Sequence, residues 1–307
     1  MIKYAVILLD KTATAFCYAD NPYRESELMP LDFLKAAIKW CMKENLRIQF
    51  VYPDYKIPLE YCNLIDTIDH ADIKHIDNSD VTIFNGLGEV CKTSSSSIVI
   101  RIAKTELFEN YAQMTSLLEH KGHISIVITD ADSFTSEDLT RYKEILASFT
   151  LAAEKLVVAN TMPKISILTD RLLLSAMNNC NAGYESITIA PNGKFYICPA
   201  FYYEDESDSV GSIESGLNIK NSQLYKLNYA PMCRECDAFH CRRCVWLNRK
   251  TTLEVNTPGH EQCVISHIER NASMELLYNI RKRGEFLPNI IIESINYLDP
   301  FEKIQKL

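Results

Sequence analysis

Residues 233–244 read Cys-Arg-Glu-Cys-Asp-Ala-Phe-His-Cys-Arg-Arg-Cys, which places two Cys-x2-Cys pairs four residues apart. Two thiolates with this spacing bind one metal from a single tight turn, and cysteines elsewhere in the chain then complete the coordination shell. Such cysteines are present, because Cys180, Cys198 and Cys263 flank the stretch and bring the total in the second half of the chain to seven. The spacing therefore predicts a metal-binding domain in this half.

Ahead of this stretch, the sequence predicts a β-hairpin that carries two of the cysteines. Residues 187–190 and 194–197 are mostly apolar and flank Pro191-Asn192-Gly193, and Asn-Gly is a favoured hairpin turn. Cys180 precedes the hairpin and Cys198 ends it, in the pattern Cys-x12-Gly-x4-Cys. We therefore expect the hairpin to fix the positions of Cys180 and Cys198 relative to each other.

The composition bounds the size, the compartment and the partners of the protein. Its 307 residues, of which 47% are apolar, are enough for a large core and predict two domains. The sequence predicts neither a membrane span nor a signal peptide. Eleven cysteines, an odd number, suit metal binding in a reducing cytoplasm better than disulfides. The net charge of −8 disfavours nucleic acid as a partner.

The first 175 residues alternate short apolar runs with helical periodicity. Strands are predicted at residues 4–9, 47–52, 81–84, 98–102 and 123–129, and their Val and Ile content suits a parallel sheet covered on both faces. Helices are predicted after Pro30, around residues 107–118 and after Thr135. The predicted fold class is α/β, with a shortened partial barrel or open parallel sheet over residues 1–175. A small metal-binding domain with a C-terminal helical tail is predicted over residues 176–307.

The complete cysteine pattern resembles the SPASM domain, the C-terminal extension of many radical SAM enzymes that modify peptides. That domain has the pattern C-x9–15-G-x4-C, then C-x2-C-x5-C-x3-C, then a closing C. All seven cysteines and Gly193 have counterparts here, although two of the middle spacings are each one residue shorter. The resemblance covers residues 176–283. Residues 241–263 are similar, more narrowly, to maturases of cysteine-rich and CXXX-repeat peptides.

The resemblance implies two 4Fe–4S clusters. The first cysteine set, Cys180, Cys198 and Cys244, would hold one cluster. The second cysteine set, Cys233, Cys236, Cys241 and Cys263, would hold the other. Some relatives have an eighth cysteine shortly after the first, but no cysteine lies between Cys180 and Cys198 here. The first cluster therefore either keeps an open iron or takes a ligand that the sequence does not identify. Zinc, with His240 or His260 completing a site, is the alternative metal.

The element that should begin the radical chemistry is missing from the first half. Radical SAM enzymes carry C-x3-C-x2-C after their first strand, whereas this chain has Asp10, Thr14 and Cys17 at those positions. Residues 50–55 also lack the Gly-Gly-Glu-Pro-like segment that contacts S-adenosylmethionine. The resemblance therefore implies a degenerate radical-SAM-like domain with no residues for binding S-adenosylmethionine. Cys17 is interpreted as a small buried residue.

These observations favour an iron–sulfur accessory protein or maturase for ribosomally synthesised, cysteine-rich peptides. It would bind the precursor peptide or relay electrons for a separate radical SAM partner, and it would be unable to cleave S-adenosylmethionine alone. A homodimer is left open. A zinc-stabilised peptide- or protein-binding module is the alternative from another class. A third hypothesis is an autonomous radical SAM enzyme whose cluster ligands come from elsewhere in the chain.

Basic residues are concentrated around the cysteines and allow two interpretations. They either compensate the negative charge of metal thiolates or form a docking surface for an acidic partner. The residues concerned are Arg234, Arg242, Arg243, Arg249 and Lys250.

Overall fold

An eight-stranded sheet organises the chain. The computed structural model describes residues 2–75, 79–88, 90, 93–241 and 243–291. The strands are β1 (Tyr4–Leu8), β2 (Arg47–Val51), β3 (His70–Lys74), β4 (Val81–Asn85), β5 (Ser97–Ile102), β6 (His123–Ile128), β7 (Ser186–Ile189) and β8 (Phe195–Tyr196). Their order across the sheet is β6-β5-β4-β3-β2-β1-β7-β8, with a separate small ribbon formed by β9 (Gly211–Ser212) and β10 (Gly216–Leu217). Strands β1 to β6 are parallel, β7 is parallel to β1, and β8 is antiparallel to β7.

Seven helices accompany the described strands: α1 (Leu31–Lys43), α2 (Leu59–Ile65), α3 (Lys104–Leu117), α4 (Ser136–Val158), α5 (Pro199–Glu204), α6 (Val245–Thr252) and α7 (His260–Arg281). Their boundaries follow local chemistry. Pro30 immediately precedes α1, whose buried residues Leu34, Ala37, Ile38 and Cys41 repeat at helical spacing. At the start of α4, Thr135 and Asp138 form a capping box in which each side chain accepts a hydrogen bond from the other residue's backbone N–H.

The predicted fold class is confirmed, because the structure is α/β with a mostly parallel sheet. Each of the six parallel strands lies next to its predecessor in the chain, as in a partial barrel. The five strands predicted in the first half are present with boundaries shifted by at most one residue. Strand β3 was not predicted, because its sequence His-Ala-Asp-Ile-Lys has only one fully buried residue, Ile73.

The two faces of the sheet bury different partners. On the outer face, Ala5 and Ile7 of β1 pack with Leu34 of α1. On the inner face, Val6 and Leu8 pack with the loop that follows β1 and with the β7–β8 hairpin. The turn of this hairpin forms as predicted, and Gly193 occupies it with a φ of 73°, a conformation that favours glycine. The inner face is therefore covered by two segments that are far apart in the sequence, the loop after β1 and the β7–β8 hairpin.

Residues from either side of the predicted domain boundary share one sheet and one core. Strand β7 extends the sheet beside β1. Helix α7 packs its Ile265 and Leu276 into the core that contains Tyr142 and Phe149 of α4. The division of the chain into two domains between residues 175 and 176 remains a prediction. None of the described helices is long and apolar enough to cross a membrane. Of the predicted helical tail, residues 292–307 lie outside the described residues.

Candidate metal centres

A cavity of about 470 Å³ lies on the inner face of the sheet. Its walls include Val6 of β1, Gln49 of β2, Val127 of β6 and Thr188 of β7. In the sheet order β6 and β7 are separated by five strands, so the sheet must curl for both to reach one cavity. Five cysteines also line this space: Cys17, Cys180, Cys198, Cys241 and Cys244. The interior of the partial barrel is thus a thiol-lined chamber.

The three cysteines of the first set come together in this cavity. Cys180 lies in the loop before β7, while Cys198 and Cys244 each immediately precede a helix. Burial raises the pKa of the Cys244 thiol to about 12, and the nearby charge of Cys180 adds to this rise. Burial likewise raises the pKa of Cys198 well above its ordinary value, with Cys244 as the strongest charged neighbour. Unliganded, these thiols are therefore protonated at neutral pH.

Cys17 joins the same group from the other half of the chain. Burial raises the pKa of its thiol to about 11, and the charge of Cys180 adds to the rise. The loop that carries it is fixed by Arg101 of β5, whose Nε donates to the carbonyl oxygen of Cys17 at 2.8 Å. The same guanidinium donates to the carbonyl oxygen of Ala19 at 3.1 Å. The interpretation of Cys17 as merely a small buried residue missed this placement.

Cys233, Cys236 and Cys241 of the second set lie on the short loop that precedes α6. The backbone N–H of Ala238 lies 3.4 Å from the sulfur of Cys236, and the backbone N–H of Arg243 lies 3.3 Å from the sulfur of Cys241. Burial raises the pKa of Cys241 to about 12, and the charges of Cys233 and Cys236 contribute. Backbone N–H groups aimed at sulfur orient the side chains and favour the thiolate once a metal is bound.

The fourth cysteine of the second set approaches this loop on helix α7. Cys263 shares a helix face with His267 and Arg270, which follow it by one and two turns. The Nε2 atom of His267 lies 3.7 Å from the sulfur of Cys236. The guanidinium of Arg270 donates hydrogen bonds to the carboxylate of Asp237, from Nε at 3.0 Å and from Nη2 at 2.5 Å. The face of α7 that carries Cys263 therefore packs against the loop.

Buried arginines supply positive charge to both cysteine sets. Arg243 is only 5% exposed, and its charge opposes the burial-driven rise in the pKa of Cys180 in one set and of Cys233 in the other. Arg171 and Arg270 act in the same way on the pKa of Cys236. Arg171 and Arg270 lie outside residues 234–250, the stretch in which the concentration of basic residues was noted, so the sequence analysis did not identify them.

The other basic residues near the cysteines have different partners. Arg249 binds the carboxylates of Glu204 and Asp208, each at 2.6 Å. Lys250 binds Asp132 at 2.7 Å, and Arg234 lies beside Glu235. Arg242 lies outside the described residues. Of the five basic residues noted around the cysteines in the sequence, Arg243 is therefore the one whose position supports charge compensation of thiolates.

The donor set of the cavity fits an iron–sulfur cluster. Over the described part of the chain, no three His, Cys, Asp or Glu side chains converge closely enough to hold a single metal ion. The thiols instead surround a space large enough for a group of several heavy atoms. His240 lines this cavity, whereas His260 lies at the start of α7 beside Glu261. Sulfur-only coordination is the arrangement in which most clusters are held.

The two other positions that correspond to the missing cysteine triad have structural roles. Asp10 is fully buried and accepts four hydrogen bonds: from the backbone and hydroxyl of Thr12, from Ser26 and from Tyr55. Burial alone would raise the pKa of its carboxyl, but these donors outweigh burial and lower it. Thr14 donates its backbone N–H to the carbonyl oxygen of Tyr52 at 3.0 Å. Neither residue contributes to the thiol-lined cavity.

A second cavity, of about 380 Å³, lies at the carboxyl ends of the parallel strands. Ligands of α/β proteins commonly bind at this edge. Its walls include Asp54, His75, Asn85 and Arg101, which follow or end β2, β3, β4 and β5. Within it Arg101 donates to the side-chain oxygen of Asn85 at 2.6 Å. The cavity is polar and carries no cysteine.

Comparison with known proteins gives structural matches alone, since no family model and no curated protein matches the chain. Among solved structures, hexahistidine-tagged anSMEcpe with bound AdoMet (S-adenosylmethionine) has a TM-score of 0.65 over 94% of this chain and 96% of that one, at 11% identity. Native anSMEcpe with AdoMet and Cp18Cys peptide gives a TM-score of 0.64 over 92% and 99%, and the complex with Kp18Cys peptide gives the same values. This neighbour is an anaerobic sulfatase-maturating enzyme, a SPASM radical SAM enzyme. At 11% identity the match establishes a shared fold.

Proposed function

We propose that this chain is an iron–sulfur protein of the radical SAM/SPASM type that acts in the maturation of a ribosomally synthesised, cysteine-rich peptide. It would hold two 4Fe–4S clusters, one on each cysteine set, in the reducing cytoplasm. The observation that carries the proposal is the grouping of the cysteines. Residues separated by up to 64 positions, from Cys180 to Cys244, reach one cavity, and the second set gathers where α7 meets its loop.

Its role is that of an accessory protein to a separate radical SAM enzyme. An AdoMet-cleaving cluster needs three cysteines on the loop after β1, and this loop has only Cys17. The carboxylate of Asp10 is already occupied by four donors. Clusters transfer electrons and bind sulfur ligands, whereas the radical itself comes from the cofactor that the partner enzyme would bind. This chain would therefore relay electrons or bind the precursor.

A peptide substrate is supported by two features. The structures of anSMEcpe that share this fold contain bound Cp18Cys or Kp18Cys peptides. In this chain, residues 241–263 resemble maturases of cysteine-rich and CXXX-repeat peptides. A cysteine-rich precursor presents the soft sulfur ligands that an iron–sulfur protein is able to recognise.

Two measurements on the purified full-length chain test this proposal. After anaerobic reconstitution, we expect iron and sulfide in equal amounts, with charge-transfer absorption in the visible region. Stoichiometric zinc in a colourless protein would overturn the iron–sulfur assignment. Under reducing conditions, we expect the chain alone to form no 5′-deoxyadenosine from S-adenosylmethionine. Formation of that product would instead establish an autonomous radical SAM enzyme.

A zinc-stabilised binding module is the second candidate, and one observation favours it. The Nε2 atom of His267 lies 3.7 Å from the sulfur of Cys236, so a histidine ligand for zinc is present beside the second set, and the other cysteines of the set would have to move closer to complete a three-cysteine, one-histidine site. Metal analysis of His267→Ala separates the two functions. A zinc site of this kind would lose its metal, whereas a cluster held by four cysteines would keep its iron.

A further inference from the structure

We propose that Cys17 is the fourth ligand of the first cluster, which would be held by Cys17, Cys180, Cys198 and Cys244. The inference rests on the proposed iron–sulfur function and identifies the ligand that the SPASM-like cysteine pattern leaves unassigned. It also gives a role to the single cysteine on the loop where a radical SAM enzyme would carry three.

The first argument is position. Cys17 lines the same cavity as the three cysteines of the first set, although it is 163 residues before the nearest of them, Cys180. Its loop is held over the inner face of the sheet by Arg101, which also bonds to Asp20 at 2.6 Å. Ala15 and Ala19 of this loop are buried in the same inner core. The placement of Cys17 is therefore built into the packing of the loop.

The second argument is the way in which the four cysteines enter the cavity. Neighbours of Cys17, Cys198 and Cys244 in the chain line it as well: Phe16 and Tyr18, Pro199, and Val245. Cys241 also lines the cavity, but it lies on the same short loop as Cys233 and Cys236, and the SPASM-like pattern groups it with them. Cys241 therefore belongs with the second set, and the four remaining thiols form a group of their own.

The third argument is coordination chemistry. A 4Fe–4S cluster has four irons that each take one protein ligand, and the first cysteine set supplies three. Metal binding converts neighbouring thiols into thiolates, whose negative charge the metal compensates. With Cys17 added, the donor count equals that of a fully ligated cluster. No iron of the first cluster would then remain open to a substrate thiolate, and its role would be electron transfer or stabilisation.

The test compares full-length Cys17→Ala with Cys62→Ala after anaerobic reconstitution. Cys62 is a partly buried cysteine on α2, against the outer face of the sheet, and serves as the matched control. Cys180→Ala is the positive control. A cluster with three cysteine ligands readily loses its unsupported iron on mild oxidation and becomes a 3Fe–4S cluster with a characteristic electron paramagnetic resonance signal. Circular dichroism establishes that each variant is folded.

We expect Cys17→Ala and Cys180→Ala to show the 3Fe–4S signal and to lose between about one and four irons per chain, while Cys62→Ala matches the wild type. If Cys17→Ala loads and oxidises like the wild type, Cys17 is not a ligand, although the proposed function stands. If the wild-type chain takes up no iron and sulfide, the proposed function fails and this assignment fails with it.

Discussion

Arg243 shows how a single side chain connects the two cysteine sets. It is buried, it donates from Nη2 to the carbonyl oxygen of Tyr225 at 3.1 Å, and its charge reaches Cys180 and Cys233. A buried cation stabilises the reduced form of a nearby cluster, because reduction adds negative charge. Arg243 is thus placed to raise the reduction potentials of both proposed clusters.

Replacing Arg243 with Gln is therefore expected to make both reduction potentials more negative, by on the order of tens of millivolts. Redox titration followed by electron paramagnetic resonance measures the shift. Arg234→Gln is the control, because Arg234 lies on the same loop and its side chain is exposed. Arg243→Lys should recover part of the shift by keeping the charge. Equal potentials in Arg243→Gln and wild type would contradict the electrostatic role.

Asp10 makes a different contribution, which concerns stability alone. Its buried carboxylate satisfies four donors, and an Asn in its place presents an N–H₂ group to some of them. Asp10→Asn is expected to lower the free energy of unfolding at pH 7 by about 1–3 kcal/mol. Urea denaturation measures this change. Asp32→Asn should have little effect, because Asp32 is exposed on α1.

The effect of Asp10 should also depend on pH. The pKa of this carboxyl is lowered on folding from its ordinary value of 3.8, so the folded state favours the ionised form. The stabilisation is complete well above pH 3.8 and is lost as the pH falls through the lowered pKa. The difference in unfolding free energy between wild type and Asp10→Asn should therefore shrink in acid. A difference that is constant from about pH 7 to about pH 3 would contradict this account.

At the scale of elements, periodicity and capping residues predicted much of the first half. Buried strands with runs of Val and Ile were identified, and the Thr135–Asp138 capping box marked the start of α4. Strand β3 was not predicted, because its sequence contains few apolar residues. Its strand conformation depends on pairing with the neighbouring strands β2 and β4. The placement of Cys17 in the cavity was not predicted either, because the loop that carries Cys17 is held by hydrogen bonds from Arg101, 84 residues away in the sequence.

Helix α7 belongs to the part of the chain in which a C-terminal helical tail was predicted, but its sequence does not reveal that it anchors the second cysteine set. The anchor is Arg270, which is 1% exposed and pairs with Asp237 between Cys236 and Cys241. Lys carries the same charge but lacks the planar fork that holds both oxygens of a carboxylate. Sequence spacing alone cannot show this pairing, because the two residues are 33 positions apart.

We expect Arg270→Lys to release iron from the second cluster while the first cluster stays loaded. Arg270→Met, which removes the charge and leaves Asp237 with the longer ion pair to Arg171 at 3.5 Å, should in addition cost about 1–3 kcal/mol of stability. Mössbauer spectroscopy and iron analysis measure the loading. Arg281→Lys, the same change farther along α7, is the control. Equal iron loss from both clusters in Arg270→Lys would show that the pair supports the whole fold instead of one set.

For the whole molecule, the thiol-lined cavity brings together segments that are far apart in the sequence, from Tyr4 to Val245. The walls of this cavity come from strands β1, β2, β6 and β7, from the loop after β1 and from the segments that precede α5 and α6. A cluster bound there would cross-link chain segments that are otherwise joined by packing and hydrogen bonds. Because a ligand that binds the native state alone stabilises it, cluster loading should stiffen these segments selectively.

Amide hydrogen exchange tests this coupling. We expect residues 11–20 and 233–241 to exchange more slowly in the loaded chain than after chelation of the iron, because both segments would then be held by thiolate ligands. In loaded Cys17→Ala, protection should be lost over residues 11–20 and kept over residues 233–241. Helix α1 (Leu31–Lys43) is the internal control, since its buried residues pack against the outer face of the sheet and it should exchange alike in all samples. Unchanged exchange over residues 11–20 on loading would mean that the first cluster does not tie the loop after β1 to the rest of the molecule.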